Sequence, residues 1–306
     1  MLNDWLSPEL SRAWIQLIRD EGDVFRRAFI MPVVQSVAAA IKADSQYSSP
    51  HAMKEGLERF LCRIGESKNF PCYSPMDNRL LSSIVCLDMG AGEGYLGRWL
   101  CRMGAEYLAV DGSPHLFSFG LQAAKSEDLV RYRSWCGDFE TFLDVTEPAT
   151  LKWEPSERGD VDPSKINLIM CHAAIEHISD QKRFLTNLRR WILKNCKQAV
   201  FLLTTLSPEF FHRVFLHIPR ERTASEPFQA RLPIGCTGYN VRANPKELTE
   251  TIQLLERSGW RVLETVRFET SHYPMFLWNQ FALAVGRNDF PEFGPFTSFT
   301  AVPTGD

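Results

Sequence analysis

The sequence predicts an α/β fold: a mostly parallel sheet with helices on both faces. Three observations carry this. Residues 85–94 read Val-Cys-Leu-Asp-Met-Gly-Ala-Gly-Glu-Gly, an apolar run, an acid, then glycine at every second position. A helical pattern follows directly, with Leu96, Trp99, Leu100 and Met103 spaced by three and four. From Ser83 to Thr205 short apolar runs then alternate with amphipathic ones, which calls for strands laid side by side and joined by helices.

Residues 1–80 read as helices. Ser7 caps the first, with Pro8 in its opening turn and Leu10, Trp14, Leu17 and Ile18 on one face. A second covers roughly Val24–Ala43, bent at Pro32. A third carries Met53, Leu57, Phe60, Leu61 and Ile64, and Gly65, Pro71, Pro75 and Asn78 mark a linker. The first strand spans Ser83–Leu87. Tyr107–Val110 is the second, ending at Asp111, and Ser113-Pro114 opens the next helix. Arg131–Cys136 is the third, ending at Gly137-Asp138. Ile166–Cys171 is the fourth, Asp180 caps the helix after it, and Ala199–Thr205 is the fifth. Asn244-Pro245-Lys246-Glu247 reads as a helix start, and Ser258-Gly259 as its end. Val262–Phe268 and Phe276–Val285 read as two final strands, paired antiparallel at the sheet edge.

In an open sheet of this kind, ligands bind beyond the carboxyl ends of the strands. Four strand ends carry suitable groups. The first has Asp88 and the loop of Gly90, Gly92 and Gly94, where bare backbone can approach a ligand and a helix N-terminus favours an anion. The second has Asp111, about twenty residues on, where an acid can accept both hydroxyls of a ribose. The third has Asp138 and Phe139, an acceptor for an amino group and a ring beside it. The fourth has His172. The loop is neither a dinucleotide fingerprint, because Tyr95 stands where the last glycine belongs, nor a P-loop, which would need Gly-Lys-Ser/Thr.

The glycine loop resembles motif I of the class I S-adenosylmethionine (SAM) methyltransferases. Cys171-His172-Ala173-Ala174-Ile175-Glu176-His177-Ile178-Ser179-Asp180 is similar to the segment after the fourth strand in small-molecule O-methyltransferases of the ubiquinone-biosynthesis type. Asn244–Leu248 and Ser258-Gly259-Trp260 resemble a Pro-x-Glu-Leu helix and its end in the same enzymes. The resemblance covers residues 83–205 and 244–286. It implies a Rossmann-like, seven-stranded, mostly parallel sheet, with SAM as cofactor. Asp88, Gly90, Gly92, Gly94, Asp111, Asp138, Phe139 and His172 are then cofactor-binding, and methyl transfer goes to an O or N atom of a small molecule. His177 is the candidate base, since a neutral imidazole can take a proton near pH 7. Glu176 and His177 could equally order their loop. The chain departs from the pattern at Gly112, where an apolar side chain is usual, and at Lys194-Asn195-Cys196, where the usual turn is Pro-Gly-Gly. The alternatives are a nucleic-acid or protein methyltransferase and a non-catalytic partner subunit. The chain lacks the Asn/Asp-Pro-Pro-aromatic motif of the enzymes that methylate DNA amino groups.

The domain reading is a helical cap over 1–80 and a SAM-binding domain over 81–306. The latter includes a lid or substrate insertion at 206–243 and an extended tail at 288–306. Phe210, Phe211, Val214, Phe215 and Ile218 give the insertion an apolar stripe. Its Arg213, Arg220, Arg222, Arg231 and Arg242 outnumber Glu209, Glu221 and Glu226, which suits an anionic acceptor. In the tail, Phe290, Phe293, Phe296 and Phe299 recur every third residue and would line one side of a three-per-turn strip. That strip, or the N-terminal helices, could join a partner or a second copy. A net charge of −3 argues against nucleic acid. Eight scattered cysteines without a CxxC pair read as free thiols in a cytoplasmic protein. Asp4 and Glu9 argue against a signal peptide, and the stretch Phe25–Ile41, broken by Arg26, Arg27, Pro32 and Gln35, is too interrupted to span a bilayer. No metal site is expected, because His172, Glu176 and His177 miss the HxxEH spacing.

Overall fold

The computed structural model describes residues 6–21, 26, 30–44, 81–144, 152–155, 161–208, 228–234, 237–269 and 293–305. Helices α1 (Pro8–Glu21) and α2 (Met31–Asp44) come first. The core then runs β1 (Val85–Met89), α3 (Tyr95–Arg102), β2 (Glu106–Asp111), α4 (Pro114–Ser126), β3 (Tyr132–Cys136) and α5 (Phe139–Asp144). It continues with β4 (Leu168–His172), α6 (Gln181–Asn195) and β5 (Val200–Leu206). Strands β6 (Phe228–Ile234) and β7 (Thr237–Ala243), helix α7 (Leu248–Arg257) and strands β8 (Trp260–Glu269) and β9 (Phe293–Pro303) complete it.

Seven strands form one sheet in the order β3-β2-β1-β4-β5-β9-β8. The pairs from β3 to β5 are parallel, and β9 runs antiparallel to both β5 and β8. The chain winds outward from β1 through β2 to β3, then returns to the other side of β1 for β4 and β5. The strand order therefore reverses between β1 and β4, and a crevice opens at their carboxyl ends.

Alternation along the strands splits the core in two. On one face Cys86, Tyr107, Leu168, Met170 and Leu202 pack under α2 and α3. On the other, Leu87, Val110, Ile169, Phe201 and Phe299 pack under α6 with Trp191 and Trp260. The local signals work as expected at several ends. Ser7 Oγ accepts from the Leu10 N–H at 3.3 Å, Ser113 Oγ from Leu116 at 3.4 Å, and an Asp180 carboxylate oxygen from Arg183 at 2.9 Å. Gly259, at φ 82°, follows the end of α7.

Several expectations need correction or restriction. The α-helical stretch α2 starts at Met31, with Pro32 in its first turn and the π-helical Ile30 directly before it. Helix α7 starts at Leu248, not beside Pro245. There the Glu250 carboxylate accepts from the Glu247 N–H at 3.2 Å, while the Asn244 N–H is drawn off to the Glu176 carbonyl at 2.8 Å. The strand beside β8 is the tail itself, Phe293–Pro303. Phe276–Val285 lies outside the described residues. A strand repeats every two residues, so Phe296 and Phe299 point to opposite faces, one packed against each core cluster. They are interior, not a one-sided strip. Of the insertion 206–243, β6 and β7 pair as an antiparallel ribbon. The apolar stripe from Phe210 to Ile218, the third N-terminal helix and Phe290 lie outside the described residues.

Candidate functional site

Main-chain bonds shape the turn after β1. The Gly90 and Ala91 N–H groups both donate to the Val110 carbonyl, at 2.8 and 3.2 Å, and Gly94 donates to Ala91 at 3.0 Å. Gly90, Gly92 and Gly94 all have positive φ, at 89°, 58° and 70°. They serve different ends. A Cβ on Gly90 would lie 2.5 Å from the Ala174 methyl, and one on Gly94 would lie 2.1 Å from the Tyr132 hydroxyl. Those two glycines admit the protein's own side chains. A Cβ on Gly92 would meet none of the described residues within 4 Å. Gly92 is the one of the three whose Cβ position no described residue crowds.

Asp111 is aimed by the main chain. One carboxylate oxygen accepts from the Gly92 N–H at 2.8 Å and the other from the Ser113 N–H at 2.7 Å. Desolvation still pushes its pKa up to about 6 against those bonds. Asp88 lies deeper, at 2% exposure. Its Oδ2 accepts from the Tyr107 hydroxyl, and its Oδ1 has no hydrogen-bond partner among the described residues. Burial pushes its pKa up to about 7, only partly offset by Tyr107 and Arg26. An orphaned oxygen on a buried acid is costly, and such groups concentrate where a ligand supplies the missing donor.

At the tip of β4 the His172 ring packs on Phe296, with centroids 5.2 Å apart. Desolvation, and then the charge of Arg26, hold it well below the ordinary imidazole range, so it is neutral. Ala173 follows with φ 48°, a strained conformation for a side chain bearing Cβ, and its N–H donates to the Thr204 carbonyl at 2.8 Å. Glu176 and His177 sit in the 3₁₀ turn Ile175–His177. Glu176 is buried and pushed up to about 7 by desolvation. Its Oε1 accepts from the Leu206 N–H and its Oε2 has no partner among the described residues. Gln181 ties the same turn to the segment before α7, donating to the Ile175 and Asn244 carbonyls at 3.1 and 2.9 Å. Glu176 thus orders the turn, and His177 is partly exposed on it.

Asp138 stands apart from these groups. It is exposed and accepts from the Thr141 N–H at 2.8 Å and the Thr141 hydroxyl at 2.7 Å, which holds its carboxyl below the usual range. Phe139 reaches inward. Its ring edge would lie 3.4 Å from a Cβ on Gly90, and it packs on Phe184 at 5.5 Å.

Sequence reasoning missed several residues at this site. Glu93, within the glycine loop, has 0% exposure. Its carboxylate accepts from Trp14 Nε1 at 3.1 Å and from the Arg26 guanidinium, and its carbonyl accepts from Arg98 at 2.5 Å. The Arg26 guanidinium also stands 5.7 Å from the Trp14 ring centroid. Ser11 and Ser113 share a buried hydroxyl contact at 3.2 Å. Tyr107 holds Asp88. The N-terminal segment is therefore bonded directly to the loop. The available signals were an acid among the glycines and charges interrupting the apolar stretch Phe25–Ile41.

Together these groups fit a ligand with an ammonium, a ribose diol and a flat base. Asp88 offers a free buried acceptor, Asp111 an oriented one, Gly92 room and Phe139 a ring. Among the described residues no three His, Cys, Asp or Glu side chains are grouped to hold a metal ion. Among the same residues, no helix is long and apolar enough to cross a membrane.

A curated relative, a ubiquinone biosynthesis O-methyltransferase of Pelagibacter ubique, is 24% identical over 170 residues. The match spans 56% of this chain and 60% of that enzyme, so about three fifths of its length is represented here. Among solved structures, a SAM-dependent methyltransferase from Mesorhizobium loti aligns over 72% of this chain and 91% of its own, at 14% identity and a TM-score of 0.46. The CcbJ methyltransferase from Streptomyces caelestis aligns over 73% and 85%, at 13% identity and a TM-score of 0.47. The profile of a methyltransferase domain matches residues 49–265, well over half of the sequence, and with that match the chain belongs to the class I SAM-dependent methyltransferases.

Proposed function

We propose that this protein transfers the methyl group of SAM to an oxygen or nitrogen of a small molecule. The observation that carries the reading is the crevice between β1 and β4, where unblocked Gly92, oriented Asp111 and half-partnered Asp88 converge. Asp111 accepts the two ribose hydroxyls. Asp88 accepts from the ammonium of the methionine part, Asp138 from the adenine amino group, and Phe139 flanks the base. The loop from Gly90 to Gly94 and the neutral His172 line the pocket wall.

SAM supplies an activated methyl on a sulfonium, a good leaving group. The protein's task is then mainly alignment of the acceptor along the line of the breaking bond, together with exclusion of water. His177 takes the proton of a hydroxyl or amine acceptor. The kinship with an O-methyltransferase supports a small-molecule acceptor, and the arginines of 206–243 favour one carrying a carboxylate or phosphate. Eight scattered cysteines suit a reducing compartment, and the cytoplasm is the proposed one. The test is transfer of radiolabelled methyl from SAM to fractions of a cell extract. Label in a small, organic-soluble product supports the reading. Label only in RNA or protein, or none with SAM bound, overturns it.

A further inference from the structure

Residues 206–243 leave the core after β5 and return before α7, and both ends meet one turn. The Glu176 carboxylate accepts from the N–H of Leu206, where the insertion departs. The Glu176 carbonyl accepts from the N–H of Asn244, where it rejoins, at 2.8 Å. Gln181 doubles the second tie. Its amide donates to the Asn244 carbonyl at 2.9 Å and to the Ile175 carbonyl of the turn at 3.1 Å. Both side chains are buried. Asn244 follows directly on β7, so the base of the β6–β7 ribbon is held at the same point. The other side of the turn borders the glycine loop, where the Ala174 methyl is the atom that a Cβ on Gly90 would strike. The bond from the Ala173 N–H to the Thr204 carbonyl fixes that side to β5.

Resting on the proposed reading of 206–243 as the substrate insertion of a SAM methyltransferase, we propose that Glu176 is a positioning residue for the methyl acceptor. It latches both ends of the insertion to the turn that borders the glycine loop, and Gln181 backs it at the returning end. A long excursion held at both ends on one turn can swing only about that turn. The bonds at its base therefore set where it lies over the crevice, although no part of Glu176 touches the reacting atoms. The bond to Leu206 needs an acceptor at this place, not a charge. The second carboxylate oxygen and Asn244 Oδ1 have no partner among the described residues, and both residues line one small cavity. An amide in place of the carboxylate would keep the acceptor and add a donor there.

Three variants of the full chain test the latch. Glu176→Ala removes the bond to Leu206, Glu176→Gln keeps an acceptor for it, and Gln181→Met removes both bonds from the amide at similar volume. In Glu176→Ala, transfer of radiolabelled methyl from SAM to the small molecules of a cell extract should fall more than about tenfold, because slight misplacement of reacting groups is expensive. The amount of extract that gives half-maximal rate should rise, while SAM affinity by calorimetry should move less than about threefold. Hydrogen exchange at residues 206–208 and 237–244 should quicken, and that of β1 to β4 should not. Glu176→Gln should restore transfer to within about threefold of wild type. Gln181→Met should repeat the alanine pattern more mildly, with faster exchange at 237–244 alone, and it carries the test if Glu176→Ala does not fold. An equal loss of transfer in Glu176→Gln and Glu176→Ala overturns the proposal, since the charge and not the bond would then matter. So does a matching loss of SAM affinity, which would make Glu176 a support for the glycine loop, and so does unchanged exchange at both ends. A wild type that binds SAM but labels no small molecule overturns the small-molecule reading, and with it the role toward the acceptor. The exchange measurement still judges the latch by itself.

Discussion

Asp88 and Asp138 read alike in the sequence, each an acid at the end of a parallel strand, yet they live in opposite environments. Asp88 is buried and bonded on one oxygen to Tyr107. It is bare on the other and pushed up to about 7. Asp138 is exposed, has both oxygens engaged by Thr141, and is held low. The first carries an unmet electrostatic need that a cation answers. The second already has its need met, so a ligand adds little. Binding energy should therefore concentrate at the β1 tip and thin out toward β3.

The hardest break of that gradient is Gly92→Arg. Its backbone at φ 58° costs a side chain about 1 kcal/mol, but no described residue lies within 4 Å of its Cβ position, so the fold should survive. SAM affinity should drop more than about a hundredfold, because the arginine occupies the crevice that the ligand needs. Gly94→Ala should do the reverse. Its Cβ meets the Tyr132 hydroxyl at 2.1 Å, so thermal stability should fall visibly in a melting curve. A Gly92→Arg protein that binds SAM normally would show that the ligand lies elsewhere.

Asp88→Asn comes next. The amide keeps an acceptor for Tyr107 but loses the charge, and SAM affinity should fall roughly ten- to a hundredfold. Without ligand the variant should melt no lower than wild type, because a buried acid with an orphaned oxygen has been removed. Loss of affinity together with loss of stability would mean that Asp88 is structural.

The same contrast has a pH signature. The carboxyls of Asp88, Asp111 and Glu176 are all raised by burial, to about 7, 6 and 7. Between about pH 4 and 7 the folded protein holds protons that the unfolded chain has released, so these groups make the ligand-free fold less stable as pH rises through that window. SAM binding runs the other way. In the proposed site it needs Asp88 and Asp111 ionised, so affinity should weaken as pH falls from 7 to 5, and binding near pH 6.5 should release protons. Calorimetry in buffers of different ionisation enthalpy measures that release directly. Zero proton exchange would remove Asp88 from the ammonium site.

Much of this gradient was hidden in the sequence, for a physical reason. Strand ends, the glycine turn and the caps at Ser113 and Asp180 follow from local chemistry, and local chemistry is what a sequence displays. Arg26 lies 67 residues from Glu93, and Trp14 lies 79. Nothing local marks such pairs, beyond charges that fit their own segment badly. The tail shows a different failure. A spacing of three suggested one face, but β5 and β8 impose a period of two, and Phe296 and Phe299 were divided between the two cores. Likewise the three loop glycines look equivalent until Ala174, Tyr132 and empty space are placed over them.

The mildest test sits at the far end of the gradient. Asp138→Ala removes the acceptor proposed for the adenine amino group, but one that water reaches freely, so the net loss on SAM should be about fivefold or less. The same change removes two bonds to Thr141 at the start of α5, a six-residue helix whose far side carries Phe142 and Leu143 into the core. That loss of a cap should cost about 1 kcal/mol of stability. Thr141→Val separates the two effects. It deletes the hydroxyl bond at 2.7 Å but leaves the carboxylate and the main-chain N–H, so it should move stability slightly and SAM affinity not at all. If Asp138→Ala instead cost as much affinity as Asp88→Asn, exposure would not be setting the strength of these acids. The contrast between the two strand tips would then collapse.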